Sequence, residues 1–497
     1  MKFSDLKAKI TDARTFNDGD AELIGIAYDS RDVEPGFVFV AMKGGTFDGH
    51  DYIVDALAAG ATAVVAERPV RCAVEAKVPY VVVDDGRRAM AEMAAPLYGY
   101  PSQQLTLIGV TGTSGKTTVT HLIQSIFTAS GKKAGLIGTL GARIGDEILQ
   151  TKHTTPESAD LQRILRLMVD RGVQAVAMEV SSHGLYQGRV LGCEFDCGVF
   201  TNIARDHLDF HKTPEAYLDA KLMLFRDYPA TSRKQFVGVV NADDFSAEVF
   251  EKAAPGCVVT FGVESPADVS APVAMVTDRS ISFDMTYKGS TVPVNLGIGG
   301  GFNVYNALAA SAAGIALGLG LDTIVEGLRQ AQGVAGRFES VDCGQDFGVV
   351  VDYAHTPDEL DSVLRAARGL TSGKLIAVFG CGGNRDKGKR PIMGRIAAEL
   401  ADAVLITSDN PRSEEPEAII EEIRGGVPEA DRSRVEVIVD RKEAIESAVN
   451  RAARGDLVVV AGKGHEDYQI FADRTIHFDD REVAREKLCS RSRPVKS

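Results

Sequence analysis

The sharpest chemical signal in the 497 residues is the run Gly109-Val-Thr-Gly-Thr-Ser-Gly-Lys-Thr-Thr118, which follows an apolar stretch and opens a helical pattern. Glycines let backbone N–H groups turn inward around phosphates, and a helix N-terminus adds positive potential. Lys116 supplies a point charge and Thr117 an oxygen for Mg²⁺, so ATP is the natural ligand. Val110 stands where the strict phosphate-loop template has its first glycine, which makes this a variant; the bland reading is a glycine-rich turn. Glu179 ends the apolar run 175–178 and is either a Mg²⁺ ligand at a strand's carboxyl end or a solvated strand-end acid. His207 is a possible second ligand, although a lone histidine is usually structural. Lys221, by composition alone, is a solvated lysine on a helix. Asp409-Asn-Pro-Arg412 follows a buried-type strand, so its polar groups should project from a sheet's carboxyl edge, although a turn alone would explain Asn-Pro.

The loop Gly112, Thr113, Ser114, Gly115, Lys116, Thr117, with Thr118 after it, resembles that of the Mur ligase family; folylpolyglutamate synthetases are similar at this loop. The resemblance extends over the motif Thr201-Asn-Ile-Ala-Arg-Asp-His-Leu-Asp209, in which the family uses the histidine on metal, here His207. It implies that Lys221 is carbamylated by CO₂, turning a cation into an anion that holds a second Mg²⁺ beside Thr117, Glu179 and His207. It further implies that Asn303 meets adenine, Arg337 the γ-phosphate and Asp352 the ribose, and that catalysis needs domain closure. Lys116, Glu179, His207, Lys221 and Arg337 are then the catalytic set.

For the substrates, Tyr28-Asp-Ser-Arg31 resembles the amino-terminal signature of family members adding the third peptide residue, which carries over Ser30. Gly45, Thr46 and Phe47 fall where the family contacts uridine or diphosphate. Thr154, Thr155, Ser181, Gln187 and Arg189 match positions holding sugar, diphosphate and dipeptide; their bland reading is a capping Thr and a surface Arg. Arg385, the run Asp409, Asn410, Pro411 and Arg412, and Gly462 with Glu466 in Ala461-Gly-Lys-Gly-His-Glu466 resemble the diaminopimelate-adding branch. The two arginines can pair the distal carboxylate that lysine lacks, while Asp409 and Glu466 attract cationic nitrogen. The implied activity is ATP-dependent addition of meso-diaminopimelate to UDP-MurNAc-L-Ala-D-Glu through an acyl phosphate, with two Mg²⁺ ions. Rival readings are a related ligase for folate or lysine and a nucleotide-driven switch without amide synthesis.

The elements that must hold these residues suggest an α/β protein of three domains, 1–99, 100–333 and 334–497. A small N-terminal α/β domain has strands near 37–42, 61–66 and 80–83 and a helix near 51–59; a linker at 98–102 closes it. The central domain reads as a P-loop ATPase-like parallel sheet, with strands 105–110 and 175–180 and helices 117–130 and 214–227. A hairpin of strands 280–287 and 291–296 around residues 288–290 follows, then a small-residue helix at 302–317. The C-terminal domain reads as doubly wound and Rossmann-like, with strands at 348–352, 375–380, 403–407, 435–439 and 457–461.

Length supports about three domains. A net charge of −14 argues against a nucleic-acid face, so an anionic substrate needs local basic pockets. The seven cysteines are scattered with no Cys-x-x-Cys pair, which suits reduced thiols in the cytoplasm. The amino terminus has no signal-peptide core, and the longest apolar candidate, 307–321, is short of a membrane span and glycine-interrupted. A cytoplasmic monomer acting on small molecules is expected.

Overall fold

The computed structural model describes residues 1–44, 47–272 and 274–491. Its chain gathers into two compact units, Met1–Phe261 with Ala309–Ile324, and Gly262–Leu308 with the chain from Val325 onward. The architecture is α/β throughout.

The first unit opens with a five-stranded sheet in the order Arg14–Asn17, Tyr80–Val82, Ala63–Ala66, Phe37–Ala41, Gly25–Ala27, parallel except for its first pair. Successive residues of a strand face opposite sides. Val38, Val40, Val65 and Val81 therefore join Phe3, Leu6 and Met93 on one face, while Phe39, Ala41, Val64 and Val82 pack with Ile53 and Ala56 on the other. The helix expected near 51–59 is a 3₁₀ turn, Gly49–Tyr52, running into Ile53–Ala58. The 98–102 linker is a sharp corner, with Gly99 and Tyr100 at positive φ before Pro101.

The same unit holds a parallel sheet ordered Val258–Gly262, Val237–Asn241, Cys197–Phe200, Thr106–Thr111, Ala175–Glu179, Ala134–Gly138, to which Gly141–Ile144 and Glu147–Leu149 add as an antiparallel meander. Thr106–Thr111 lies in the middle, so its carboxyl end has neighbours on both sides: Val110 registers with both Glu179 and Val199. The helix following the phosphate loop is Lys116–Ala129. The helix bearing Lys221 starts at a Thr213 cap that accepts from Ala216 N and runs to Ala230, three residues beyond the expected end, because Tyr228 is buried against the core.

In the second unit, Ile281–Tyr287 and Ser290–Leu296 pair antiparallel with Tyr287 opposite Ser290. The turn is thus Lys288-Gly289, two residues rather than the expected three, because both adopt positive φ as a primed turn requires. The small-residue helix is Phe302–Ala316. The C-terminal sheet is ordered Glu339–Ser340, Gly348–Asp352, Leu457–Ala461, Leu375–Phe379, Ala403–Ile406, Val435–Val437, antiparallel only at its first pair. Helices Pro357–Leu370, Lys389–Leu400 and Pro416–Arg424 cover one face, and Arg441–Arg451 with Asp480–Arg491 the other. That is a doubly wound sheet, and its strand order reverses where the last parallel strand lies between the first two. Among the described residues, no helix is long and apolar enough to cross a membrane.

Candidate active site

The phosphate loop is shaped by the strand before it and braced by a segment ninety residues on. Gly112 has φ +146°, and a Cβ there would lie 1.9 Å from Thr201 Oγ1, so only glycine fits. Thr201 Oγ1 donates to Ser114 O at 2.7 Å, Thr113 N donates to Asn202 O at 2.9 Å, and Ser114 N donates to Asn202 Oδ1 at 3.0 Å. The loop is therefore preformed by Thr201 and Asn202. Gly115, at φ +85°, starts the helix, and the ammonium of Lys116 donates to the loop carbonyls of Gly112 and Thr113 at 2.9 and 2.7 Å. Thr118 is buried on the first turn of that helix.

Beside the loop, Glu179 is buried at the strand end and accepts from two hydroxyls and one backbone N–H. Thr117 Oγ1 donates to its carboxylate at 3.1 Å, Thr139 N at 2.8 Å and Thr139 Oγ1 at 3.3 Å. Two hydroxyls and a carboxylate next to a phosphate loop form the hard-oxygen set that suits Mg²⁺. Among the described residues, no three His, Cys, Asp or Glu side chains gather to hold a metal; the expected set draws on only one of each of Thr, Glu, His and Lys.

Lys221 and His207 form the other half of that set. Lys221 is 1% exposed, and its ammonium nitrogen donates to Gly112 O at 2.7 Å and lies 4.4 Å from the Tyr217 ring centre. Burial, with the Lys116 charge added, holds it well below the usual lysine range. Its burial means that the residue is not the solvated lysine that composition suggests. His207 sits at φ +53°, with Nε2 3.3 Å from Asp206, and burial and the two lysines depress it. His183 and His211 join it in a cluster with ring centres 4.7 and 5.4 Å from His183, and burial holds His183 down at about 4.

The substrate residues of this unit share one network. Thr155 Oγ1 donates to Glu179 O at 2.9 Å and accepts from Ser181 N at 3.0 Å, and Ser181 caps the helix Ser182–Tyr186. Thr154 touches Thr139 through their hydroxyls at 3.3 Å. Arg189 donates to Thr155 O at 3.0 Å and pairs with the buried Glu157, which Arg87 also grips at 2.7 and 2.8 Å. Gln187 ends the Ser182–Tyr186 helix. Ser30 begins a 3₁₀ turn whose neighbours Tyr28, Arg31 and Asp32 line a cleft of about 600 Å³ with Lys152, His153 and Glu157. Phe47 is exposed; Gly45 and Thr46 lie outside the described residues.

The second unit sets its residues along one carboxyl edge. Asp352 accepts from Phe338 N at 2.7 Å and Ala354 N at 2.8 Å; burial dominates and raises its carboxyl to about 6. Arg337 stacks 4.8 Å over Tyr353, and Phe338 meets Phe302 edge to face, next to Asn303. Asn303 is buried and donates to Gly299 O at 2.7 Å. Three strands away, beyond Ala403–Ile406, Asn410 donates to Glu466 at 2.8 Å and accepts from Ile470 N and from the fully buried Lys463. Arg412, at φ +53° after Pro411, donates to Gly383 O at 2.8 Å. A Cβ on Gly382 would meet Arg412 Nη1 at 2.9 Å and Arg385 Cγ at 3.7 Å, so both guanidinium stems border one bare stretch of backbone. Gly462, at φ +120°, leaves room for Asp409, whose Oδ2 would lie 2.7 Å from an added Cβ. Burial favours the neutral Asp409, but the charges of Arg441 and Lys463 outweigh it and keep the carboxyl below its usual range.

Several supports escape the motifs. Arg441 and Asp480, both buried, are bonded at 2.7 Å, and Arg441 also donates to Ser408 O and Ala461 O. Arg390, which stands inside the run 381–391 that carries Arg385 but was not singled out there, holds Glu414, Glu422 and Gly382 O. Thr139 and the Arg87 and Glu157 pair likewise carry no local signature, whereas Asn202 and Lys463 stand inside motifs already legible in the sequence.

Residues 110–314 match the Mur ligase middle domain, 336–464 the Mur ligase glutamate ligase domain, and 22–98 the Mur ligase family catalytic domain. The chain belongs to the Mur ligase family. Its relatives include a Geobacillus thermodenitrificans protein named UDP-N-acetylmuramoyl-L-alanyl-D-glutamate--2,6-diaminopimelate ligase, 46% identical over 487 residues, covering 98% of this chain and 99% of that one. A Halalkalibacterium halodurans protein of the same name is 47% identical over 478 residues, covering 96% and 97%. A solved structure of a ligase with that name aligns with a TM-score of 0.68 at 34% identity, covering 95% of this Mur ligase and 96% of that chain. The ADP complex of MurF ligase from Thermotoga maritima, at 21% identity and a TM-score of 0.67 over 94% and 98%, shares the fold.

Proposed function

We propose that this Mur ligase joins meso-2,6-diaminopimelate to UDP-N-acetylmuramoyl-L-alanyl-D-glutamate at the expense of ATP, in cytoplasmic peptidoglycan precursor synthesis. The observation that carries the reading is the amino-acid end of the site, where Asp409, Asn410 and Glu466 gather at one sheet edge and Arg412 and Arg385 border the Gly382 backbone. Near-full-length relatives of that name support it.

In this reading the loop amides and Lys116 hold the phosphates of ATP, Asn303 faces adenine and Asp352 the ribose. Arg337 neutralises charge on the phosphoryl group as it moves to the D-glutamyl γ-carboxylate. Thr117, Glu179 and His207 would hold Mg²⁺ and carbamylated Lys221 a second ion; bound there, the ions would neutralise phosphate charge. The diaminopimelate amine then attacks the acyl phosphate, and phosphate leaves as the amide forms. Ser30, Gly45, Thr46, Phe47, Thr154, Thr155, Ser181, Gln187 and Arg189 hold the UDP-muramoyl dipeptide, the hydroxyls and Arg189 suiting its phosphates and carboxylate. Arg412 and Arg385 pair the distal carboxylate of diaminopimelate while Asp409 and Glu466 attract its ammonium; Pro411 and Gly462 shape the wall. Lysine would leave those guanidinium groups unmatched, which is a strong basis for rejection. The matched family segments fall inside 1–99, 100–333 and 334–497, which supports three domains, and the molecule is taken to act as a monomer.

The test is phosphate release with ATP, Mg²⁺ and the dipeptide, comparing meso-diaminopimelate with L-lysine and weighing the product by mass spectrometry. Strong preference for diaminopimelate is expected. Equal use of lysine would remove the Asp409–Arg412 argument, and release without any acceptor would favour a nucleotide switch.

A further inference from the structure

Two cysteines that stand 146 positions apart in the chain meet in the second unit: Cys343 Sγ and Cys489 Sγ lie 2.9 Å apart, within about 1 Å of a bonded S–S distance. Of the other cysteines, Cys381 instead donates to the Met393 sulfur at 3.6 Å in the core. Cys343 lies just beyond the edge strand Glu339–Ser340, half-buried against the helix Asp480–Arg491, with its sulfur 3.8 Å from Arg485 O. Cys489 is exposed on that helix, beside Arg485, Glu482 and Glu486 in a shallow cleft of about 550 Å³. The pair touches none of the residues assigned to the ligase reaction.

The geometry points to a modification site: Cys343 and Cys489 form a reversible disulfide that fastens the C-terminal helix to the edge of the C-terminal sheet, with a low-molecular-weight disulfide as the oxidant. Exposure gives the two sulfurs different parts. The thiolate of Cys489 attacks one sulfur of the oxidant RS–SR, forming a mixed disulfide and releasing RS⁻, which takes up a proton. The Cys343 sulfur then attacks Cys489 Sγ, breaking the mixed bond; the second RS⁻ leaves and takes the Cys343 proton. Two protein thiols are oxidised by two electrons and RS–SR is reduced to two RSH. Burial and the neighbouring Cys489 sulfur push the Cys343 thiol up to about 11, so the exposed Cys489 makes the first attack and closure by Cys343 is the slower step. The guanidinium of Arg485 opposes part of that rise.

What the bond would fasten is not incidental. The helix it anchors begins with Asp480, the buried partner of Arg441, and Arg441 holds Ser408 O and Ala461 O at the carboxyl edge of the sheet. Closing a loop of this length constrains the unfolded chain strongly.

The test incubates the full chain with oxidised glutathione, blocks remaining thiols with iodoacetamide, and maps peptides beside the intact mass. The expected result is a Cys343–Cys489 cross-linked peptide, a loss of two hydrogens relative to dithiothreitol-treated protein, and a rise in Tm of about 5 °C or more that dithiothreitol reverses. Cys343→Ser and Cys489→Ser should each fold with the reduced protein's Tm and lose both cross-link and shift. Glutathione retained on Cys489 of the unsubstituted chain, or alkylation of both thiols without a cross-link, would overturn the proposal. A cross-link that leaves Tm unchanged would overturn the fastening.

Discussion

At the scale of the residue, charge and burial set the behaviour of the site. Arg412 combines a strained φ of +53° with a guanidinium aimed over the Gly382–Gly383 backbone. Arg412→Ala is expected to raise the KM for diaminopimelate about 10- to 100-fold while leaving the KM for ATP within about twofold, since a lost charge-assisted pair costs roughly 1.5–3 kcal/mol; steady-state kinetics with each substrate varied would check it. His465 and His183 offer a second handle. Burial dominates and holds both at about 4, and His465 Nδ1 is buried without a hydrogen-bond partner. Because the unfolded chain binds protons on these imidazoles below about 6.5 and the folded chain only below about 4, stability rises with pH across that window and is lost in acid. Asp352 works the other way: its raised pKa makes its contribution fall as pH rises towards 6. Denaturation at several pH values should show His465→Gln flattening the rise by about 2 kcal/mol; an unchanged slope would place the titration elsewhere. Residues inside a contiguous motif, from Gly112 to Thr118 or Asp409 to Arg412, were legible from sequence because neighbours in the chain are neighbours at the site. Arg441 and Asp480, or Arg87 and Glu157, were not, since their partners are 39 and 70 positions away and each alone reads as a solvated surface charge.

At the scale of the element, apolar runs bounded by glycine-marked turns located the strands that end at the site, and period-two alternation marked the hairpin of 280–287 and 291–296. The strands Ala134–Gly138, Cys197–Phe200 and Val237–Asn241 are buried on both faces like the strands that were found, with no alternation to read, and escaped because their apolar runs are too short to stand out. Glycines also interrupt them: a Cβ on Gly198 would meet Phe236 at 2.6 Å, so the gap in the apolar run is filled by a ring from elsewhere. The Asp480–Arg491 helix is tied to the sheet by its first residue. Asp480→Asn would leave a buried guanidinium unpaired, so a loss of about 3–5 kcal/mol is expected. Replacing both partners, Arg441→Met with Asp480→Leu, should recover most of it; urea unfolding of the three proteins would decide, and a double variant as weak as the single one would show that Arg441 acts through Ser408 O and Ala461 O instead.

At the scale of the whole molecule, the phosphate loop belongs to the first unit, whereas Asn303, Arg337, Asp352 and the amino-acid residues belong to the second. Saturating nucleotide should raise the Tm of the full chain, and Lys116→Ala should abolish that rise while leaving the Tm of the nucleotide-free protein within a few degrees; thermal shift with and without ATP and Mg²⁺ is the measurement. The order of the C-terminal sheet has a further consequence, for the birth of the protein. The strand Leu457–Ala461 inserts between Gly348–Asp352 and Leu375–Phe379, strands that leave the ribosome first. Until roughly 80 more residues are translated, on the order of 4–16 s, those two strands carry unsatisfied edges towards a gap at the centre of their own sheet. Nascent chains stalled before Leu457 should therefore be captured by chaperones and cut by protease throughout this region, while chains released just past Arg491 should resist.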